Sequence, residues 1–227
     1  MKKLIFIILF INLAVAQVFT VDNISGKVLV MKGTSEIWST VTKGDKLSGD
    51  DLIATNENSR IILSREDEKF ILKANSALNL GYIKKMSVND LLLALAMDDF
   101  NNLPVKEEDK KVKDTAVYGS DESVSKEIIP AVNSIGDKKI NGAVQLLQSG
   151  YKQSSVVAAR EIFRNYPAIA SGYKNRIIFA DILVDLSLYE EAMEEYNKIA
   201  KLKLNEKESG ELQGKIASLK DKLLTEN

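Results

Sequence analysis

Alternation of apolar and polar residues dominates residues 21–82. The stretch GKVLVMKG sends Val28 and Val30 to one face of a strand and Leu29 and Met31 to the other. Four more short stretches follow at close spacing, separated by Gly, Asp and Asn clusters: SEIWST, DLIAT, RIILS and KFILK. Several short strands with turns between them predict an antiparallel all-β domain.

The period changes at Ser87, where the stretch SVNDLLLALAMDDF begins. Ser87 with Asp90 three residues later is a helix N-terminal capping arrangement. The apolar stripe that follows consists of Val88, Leu91, Leu92 and Leu95. Because Pro104 cannot continue a helix, the pattern predicts a helix within residues 86–104 that packs on or beside the β-domain, which we assign to residues 17–85.

A polar stretch separates this part from the rest of the chain. Residues 105–127 are rich in charge and read as a solvated linker, with TAVY (residues 115–118) as a short strand that docks back. From residue 128 to residue 227 every segment has helical spacing. The last segment closes with a capping-helix stripe of Leu212, Ile216, Leu219 and Leu223.

The N-terminus has the form of a secretory signal peptide. Lys2 and Lys3 precede an apolar run of 13 residues, 4–16, that ends in Ala-Val-Ala. This pattern predicts cleavage between Ala16 and Gln17. A retained transmembrane anchor is the alternative, disfavoured because a bilayer span needs about 20 apolar residues. The predicted location is extracytoplasmic: periplasmic, outer-membrane associated or secreted, with no membrane span after processing.

Composition removes most catalytic chemistry from consideration. The chain has 227 residues, 45% hydrophobic and 28% charged, and contains neither cysteine nor histidine. Disulfides, thiolate nucleophiles, Cys/His zinc sites and His-based triads are therefore excluded. The formal net charge of −1 and the scattered basic residues give no footprint for nucleic acid. No cofactor, metal or catalytic residue is predicted.

The β-region resembles the FecR-like domain, a periplasmic module of iron-transport regulators. The resemblance centres on the phrase GDKLSGDDLIAT and covers residues 26–80. The positions that carry it are Gly26, Val28, Trp38, Gly44, Asp45, Leu47, Gly49, Asp50, Ile53, Thr55 and Ser76. One departure is the turn in SREDEKF, where the family places Asp-Gly and this chain has Asp67-Glu68.

Asp45, Asp50 and Asp51 raise the question of a metal site. The resemblance implies that the two Gly-Asp steps are turn residues, and Gly and Asp are good turn formers because Gly permits φ > 0 and Asp bonds downstream amides. A calcium loop needs alternating ligands and a closing Glu, which this spacing lacks. Trp38 reads as a core anchor between the β layers, with a ligand-stacking platform as the alternative.

The helical half resembles tetratricopeptide repeats, with about two helix pairs. Small and aromatic positions of the better repeat fall at Ala180, Ala192 and Tyr196, and those of the preceding unit at Ala159 and Phe163. Such arrays present a concave face to extended peptides or protein termini. The stretch YKNR opens a helix on that face, so the resemblance makes Tyr173, Lys174, Asn175 and Arg176 the contact candidates.

These observations predict an α+β multi-domain protein: an antiparallel all-β FecR-like domain followed by an α-helical hairpin-repeat domain. The favoured function is a secreted or periplasmic, non-catalytic adaptor that binds a protein, a peptide or cell-wall glycan in the envelope. A membrane-tethered FecR-type regulator is the alternative, although three residues before the apolar run leave no room for a cytoplasmic domain. A carboxylate-based wall hydrolase using the acidic pairs 98–99, 107–108 or 190–191 is the third alternative.

Overall fold

The computed structural model describes residues 17–101 and 132–225. The predicted signal peptide, the linker with its TAVY strand and Pro104 lie outside the described residues. In the described part, eight strands precede the helices: β1 (Val18–Ser25), β2 (Val28–Met31), β3 (Trp38–Thr40), β4 (Lys46–Ser48), β5 (Leu52–Thr55), β6 (Arg60–Arg65), β7 (Glu68–Leu72) and β8 (Ala77–Asn79). A 3₁₀ turn, Leu80–Tyr82, follows β8.

The strands form two antiparallel four-stranded sheets that face each other. One sheet has the order β4-β1-β6-β7 and the other β3-β2-β5-β8. Phe19, Leu63 and Phe70 from the first sheet pack into one buried core with Val30 and Ile53 from the second. Alternate residues of each strand supply this core, as the period of two requires. The predicted antiparallel all-β region is confirmed.

Helices occupy the remainder of the described chain. They are α1 (Val88–Asn101), α2 (Val132–Gln148), α3 (Lys152–Asn165), α4 (Pro167–Ala170), α5 (Tyr173–Asp185), α6 (Tyr189–Ile199) and α7 (Glu206–Thr225). The predicted capping box opens α1: Ser87 N donates to Asp90 Oδ2 at 2.9 Å, and Asp90 N donates to Ser87 Oγ at 3.1 Å. The α+β layout is therefore confirmed. None of the described helices is both long and apolar enough to cross a bilayer.

The helices pack mainly with their neighbours along the chain. Helix α2 pairs with α3, and α5 pairs with α6. Ala159, Ala180 and Ala192 are buried in the core that these helices share. Pro167 begins the short helix α4, which lies between the two pairs, and proline is well tolerated at the first position of a helix.

Helix α2 joins the helical half to the β-sandwich. It covers the outer face of the second sheet, where Leu52, Ala54 and Ala77 form a small apolar cluster, here called the outer cluster, against Ile135. Gly142 sits where α2 comes nearest the sheet, and a Cβ there would lie 2.1 Å from the carbonyl oxygen of Ala77. Only glycine permits this approach between helix and strand.

Polar contacts reinforce the same interface. Gln145 Nε2 donates to Ser76 Oγ at 2.5 Å, and Gln145 Oε1 accepts from Lys73 N at 2.7 Å. Lys138 Nζ donates to the Thr55 carbonyl oxygen at 3.0 Å, and burial lowers the pKa of this lysine. The sandwich and the helices therefore share one continuous packed structure.

Trp38 differs from its predicted placement between the two β layers. It is half-buried on the edge strand β3 and packs beside Met31 and Ile135 against the outer cluster. Trp38 is paired with Met31 across the two strands, so both side chains lie on the face turned away from the other sheet. The indole covers the rim of the contact with α2 instead of filling the sandwich core.

Candidate functional site

An open groove lies between α5 and α7, with α6 at its floor; we call it the α5–α7 groove. It has a volume of about 540 Å³. Its lining residues are Asp181, Val184 and Asp185 of α5, Tyr196 of α6, and Glu211, Gly214, Lys215, Ser218, Leu219 and Lys222 of α7. The size suits a short stretch of extended peptide or a small ligand.

Asp181 organises the polar floor of the groove. Its Oδ1 accepts a hydrogen bond from Tyr196 OH at 2.6 Å, and its Oδ2 accepts one from Lys215 Nζ at 2.8 Å. Burial and the bond to Asp181 raise the pKa of Tyr196 well above its ordinary value, so the phenol stays protonated. Each of these three groups is already satisfied by a neighbour, which makes the floor a fixed recognition surface.

Charges of both signs occupy the rim of the groove. Asp185 lies 3.9 Å from Lys152 Nζ, and Lys222 Nζ lies 5.4 Å from the centre of the Tyr189 ring. Among the described residues, no group of three or more His, Cys, Asp or Glu side chains is placed to hold a metal ion. Mixed charge around an apolar wall of Val184 is suited to binding a polar peptide.

The residues predicted to contact a partner occupy different environments. Tyr173 begins α5, as the sequence indicates, but its side chain is only 7% exposed. Lys174 is exposed, and Asn175 is half-buried with Nδ2 donating to the Ile169 carbonyl oxygen at 3.4 Å. Arg176 Nη2 donates a hydrogen bond to the buried Glu195. The side chains of Tyr173 and Arg176 are therefore mostly buried, and of the four residues only Lys174 is exposed; contact of this stretch with a partner stays a prediction.

Arg176 belongs to a buried ionic network centred on Glu195. Glu195 Oε2 accepts from Arg176 Nη2 at 2.8 Å, while its Oε1 lies 3.2 Å from Arg160 Nη2 and 3.1 Å from Lys198 Nζ. Burial alone would raise the pKa of Glu195, but the neighbouring cations outweigh it and the pKa lies below its ordinary value. The network ties α3, α5 and α6 together. The sequence analysis missed Glu195, whose only signal was a carboxylate on the apolar side of α6.

The two Gly-Asp steps close turns of the sandwich. Asp45 Oδ2 accepts from Thr42 N at 2.8 Å, and this bond and its companion to the Thr42 hydroxyl lower the pKa of Asp45. Gly44 has φ +91°, the left-handed conformation expected of a turn glycine. Gly49 departs from that expectation because its φ is not positive, and it instead packs near Gln17, whose carbonyl accepts from Gly49 N at 2.9 Å.

The third aspartate of the stretch is the most deeply placed. Asp51 is buried, and its oxygens accept from Gly33 N at 3.1 Å and Ser48 N at 2.9 Å. Asp50 is exposed. Asp45 therefore belongs to one turn and Asp50 and Asp51 to the next, and the three carboxylates do not form a group placed to hold a metal ion.

The remaining motif positions serve the sandwich. Val28, Leu47 and Ile53 are buried in its core. Thr55 and Ser76 link β5 to the start of β8, with Ser76 N donating to Thr55 Oγ1 at 3.0 Å. Gly26 has φ +76° and lies against Ser59.

The acidic pairs considered for hydrolysis are also engaged or exposed. Asp98 forms an ion pair with Arg164, and Asp99 Oδ1 lies 2.8 Å from Arg160 Nη1. The pair at 190–191 lies in the first turn of α6, where the helix dipole stabilises negatively charged side chains. The pair at 107–108 lies outside the described residues.

Comparisons with known proteins add no relative from which a function could be carried over. No protein-family model matches the chain, and neither curated proteins nor solved structures gave a match. The functional conclusion therefore rests on the geometry of the described residues.

Proposed function

We propose that this chain is a non-catalytic interaction protein of the cell envelope that holds a partner protein or peptide in the α5–α7 groove. In this proposal the chain is exported, with cleavage before Gln17, and its FecR-like β-domain supports a short tetratricopeptide-like helical array. The observation that carries the proposal is the groove itself, an open channel of about 540 Å³ whose floor is held by Asp181, Tyr196 and Lys215.

The chemistry of the groove favours binding over catalysis. Tyr196 and Lys215 both donate to Asp181, so the polar groups of the floor hold one another in place and present a fixed surface to a ligand. The polar rim can form hydrogen bonds with the exposed backbone amides of an extended peptide. Val184 and Leu219 can contact the apolar side chains of that peptide. A partner of this kind suits an adaptor that assembles envelope proteins; wall glycan is the other ligand class that a polar groove would take.

Site-specific photocrosslinking in native cells tests this proposal. A benzoylphenylalanine at Ser218, in the groove, is expected to yield a discrete adduct, and one at the exposed Lys220 of the same helix is the matched control. Lys215→Glu should abolish the Ser218 adduct because it repels Asp181 and disturbs the floor. The partner, identified by mass spectrometry, should then bind the purified protein and lose affinity for the Lys215→Glu variant.

Adducts of equal yield at both positions, or an adduct unaffected by Lys215→Glu, would show that the groove does not hold the partner. Intact-mass analysis of the same cells tests the export step. A chain that begins at Gln17 supports processing, whereas a chain that begins at Met1 in the membrane fraction favours the tethered regulator.

A further inference from the structure

Helix α1 is apolar on two opposite faces. Leu91 and Leu95 are buried against the fold, while Leu93, Met97 and Phe100 are 62%, 58% and 73% exposed. The exposed residues are spaced by four and three positions, so they form one line along the helix, here called the outer stripe. A surface helix normally carries polar residues on the face opposite its buried stripe, so the second apolar line on α1 is unusual.

A cleft between α1 and α3 adjoins the outer stripe. Its volume is about 280 Å³, and Met97 belongs to both the cleft and the stripe. Ala94, Leu95 and Val157 make its apolar part. The charged groups on its walls are Asp98, Arg160, Glu161 and Arg164.

One charged group of the cleft walls has no ion pair in the described part of the chain. Arg164 forms an ion pair with Asp98, and Arg160 is shared by Asp99 and the buried Glu195. The hydrogen bond to Glu161 comes from the neutral hydroxyl of Tyr82, and the ion pairs within residues 17–101 and 132–225 include none to Glu161.

The Tyr82 hydroxyl does not neutralise Glu161. Burial of Tyr82 and its bond to Glu161 raise the pKa of the phenol far above its ordinary value, so the hydroxyl donates to the carboxyl group without supplying a positive charge. A cation on an apolar stem complements this arrangement, because the stem packs on the apolar part of the cleft and the charge meets the carboxylate.

We propose that the outer stripe and the adjoining cleft dock a segment of a partner protein that carries apolar side chains along one face and a lysine or arginine directed at Glu161. Three exposed side chains over about 10 Å of helix fall short of the roughly 800 Å² per partner that a stable dimer buries. A peptide-sized segment fits the surface better than a second copy. The proposal is independent of the α5–α7 groove, since the two surfaces share no residue.

Selection from a phage-displayed library of random dodecapeptides tests this inference. Peptides retained by the purified wild-type protein but not by the Phe100→Ser variant are expected to combine apolar residues with Lys or Arg. Ile37→Ser, at an equally exposed apolar residue of the β-sandwich (75% exposed), is the matched control and should retain the same peptides. Circular dichroism of each variant confirms that it is folded.

Fluorescence anisotropy then isolates the role of Glu161. A selected peptide should bind the wild type about tenfold more tightly than its Lys→norleucine analogue, a typical effect of one charged hydrogen bond. With Glu161→Gln, which still accepts from Tyr82, the ratio should fall to about one.

Several outcomes would overturn the proposal. They are the absence of enriched peptides, a wild type that binds the norleucine analogue equally well, and an unchanged preference in Glu161→Gln. A dimer in light scattering that Phe100→Ser dissolves would assign the stripe to a second copy. Tighter peptide binding by a chain shortened within residues 102–131 would assign it to the chain's own segment.

Discussion

Replacing Gly142 by Ala tests how closely α2 is held to the β-sandwich. A Cβ at this position would stand 2.1 Å from the carbonyl oxygen of Ala77 and 3.0 Å from its carbonyl carbon. Strand backbone cannot rotate away as a side chain can. Helix α2 must therefore move outward by about 1 Å to restore an ordinary contact.

Two opposing effects set the expected magnitude. In an exposed helix, Gly→Ala stabilises by about 1 kcal/mol because glycine is the poorer helix former. Here the added methyl overpacks the interface at about 1–3 kcal/mol. The displaced helix also weakens the bond that Gln145 donates to Ser76 and the bond that it accepts from Lys73 N, each worth about 1 kcal/mol. We expect Gly142→Ala to lower the free energy of unfolding by about 2 kcal/mol.

Urea denaturation followed by circular dichroism and by fluorescence measures this change. Trp38 is the single tryptophan and packs beside Ile135 of α2, so its emission reports on the interface. Gly210→Ala and Gly214→Ala are matched controls, because no atom lies within 4 Å of a Cβ at either position. Each control substitution should raise the free energy of unfolding by up to about 1 kcal/mol. A Gly142→Ala variant that gains stability as the controls do would refute the close approach.

Two further substitutions test the buried carboxylates. Glu195→Gln should lose about 3 kcal/mol of unfolding free energy near neutral pH, because the buried Arg176 loses its carboxylate partner and Arg160 keeps only the exposed Asp99. Folding lowers the pKa of Glu195, so the contribution of its charge to stability is complete above the ordinary value of 4.5 and is lost as the pH falls below it. The urea midpoints of the wild type and of Glu195→Gln should therefore converge between about pH 7 and about pH 3. A constant difference between the two midpoints would contradict the network. Asp51→Ala should lower the free energy of unfolding by about 2–3 kcal/mol, because it removes the two bonds that Asp51 accepts from backbone amides. Asp50→Ala, at an exposed position, should change it by no more than about 0.5 kcal/mol. Equal urea midpoints for the two variants would contradict the assigned turn geometry.

Local features of the fold were predictable from the sequence. The Ser87–Asp90 capping box places the start of α1 because both partners lie within one helical turn. Alternation in the strands is equally local, and it gave the antiparallel β-region. The YKNR stretch opens a helix at Tyr173, as the sequence predicted.

Contacts between distant parts of the chain were not predictable. Arg176 reads as a surface residue until Glu195, nineteen positions later, is brought against it. The docking of α2 on β8 brings Gly142 against Ala77. A polar segment separates the two residues in the sequence, so no local pattern indicates this contact. The one signal for it was a glycine in the interior of a helix, a position where glycine costs about 1 kcal/mol unless close packing requires it.

The docking of α2 also affects the order in which the parts of the chain can fold, because the β-sandwich is covered by a helix that lies later in the sequence. Ala77 precedes Gly142 by 65 residues, so in synthesis or export from the N-terminus the β-strands emerge before α2 does. During this interval the outer cluster faces solvent, and the β-strands carry an apolar face on both sides of one sheet. The sandwich thus depends on a helix that is made after it, and a truncation before α2 should leave an aggregation-prone fragment.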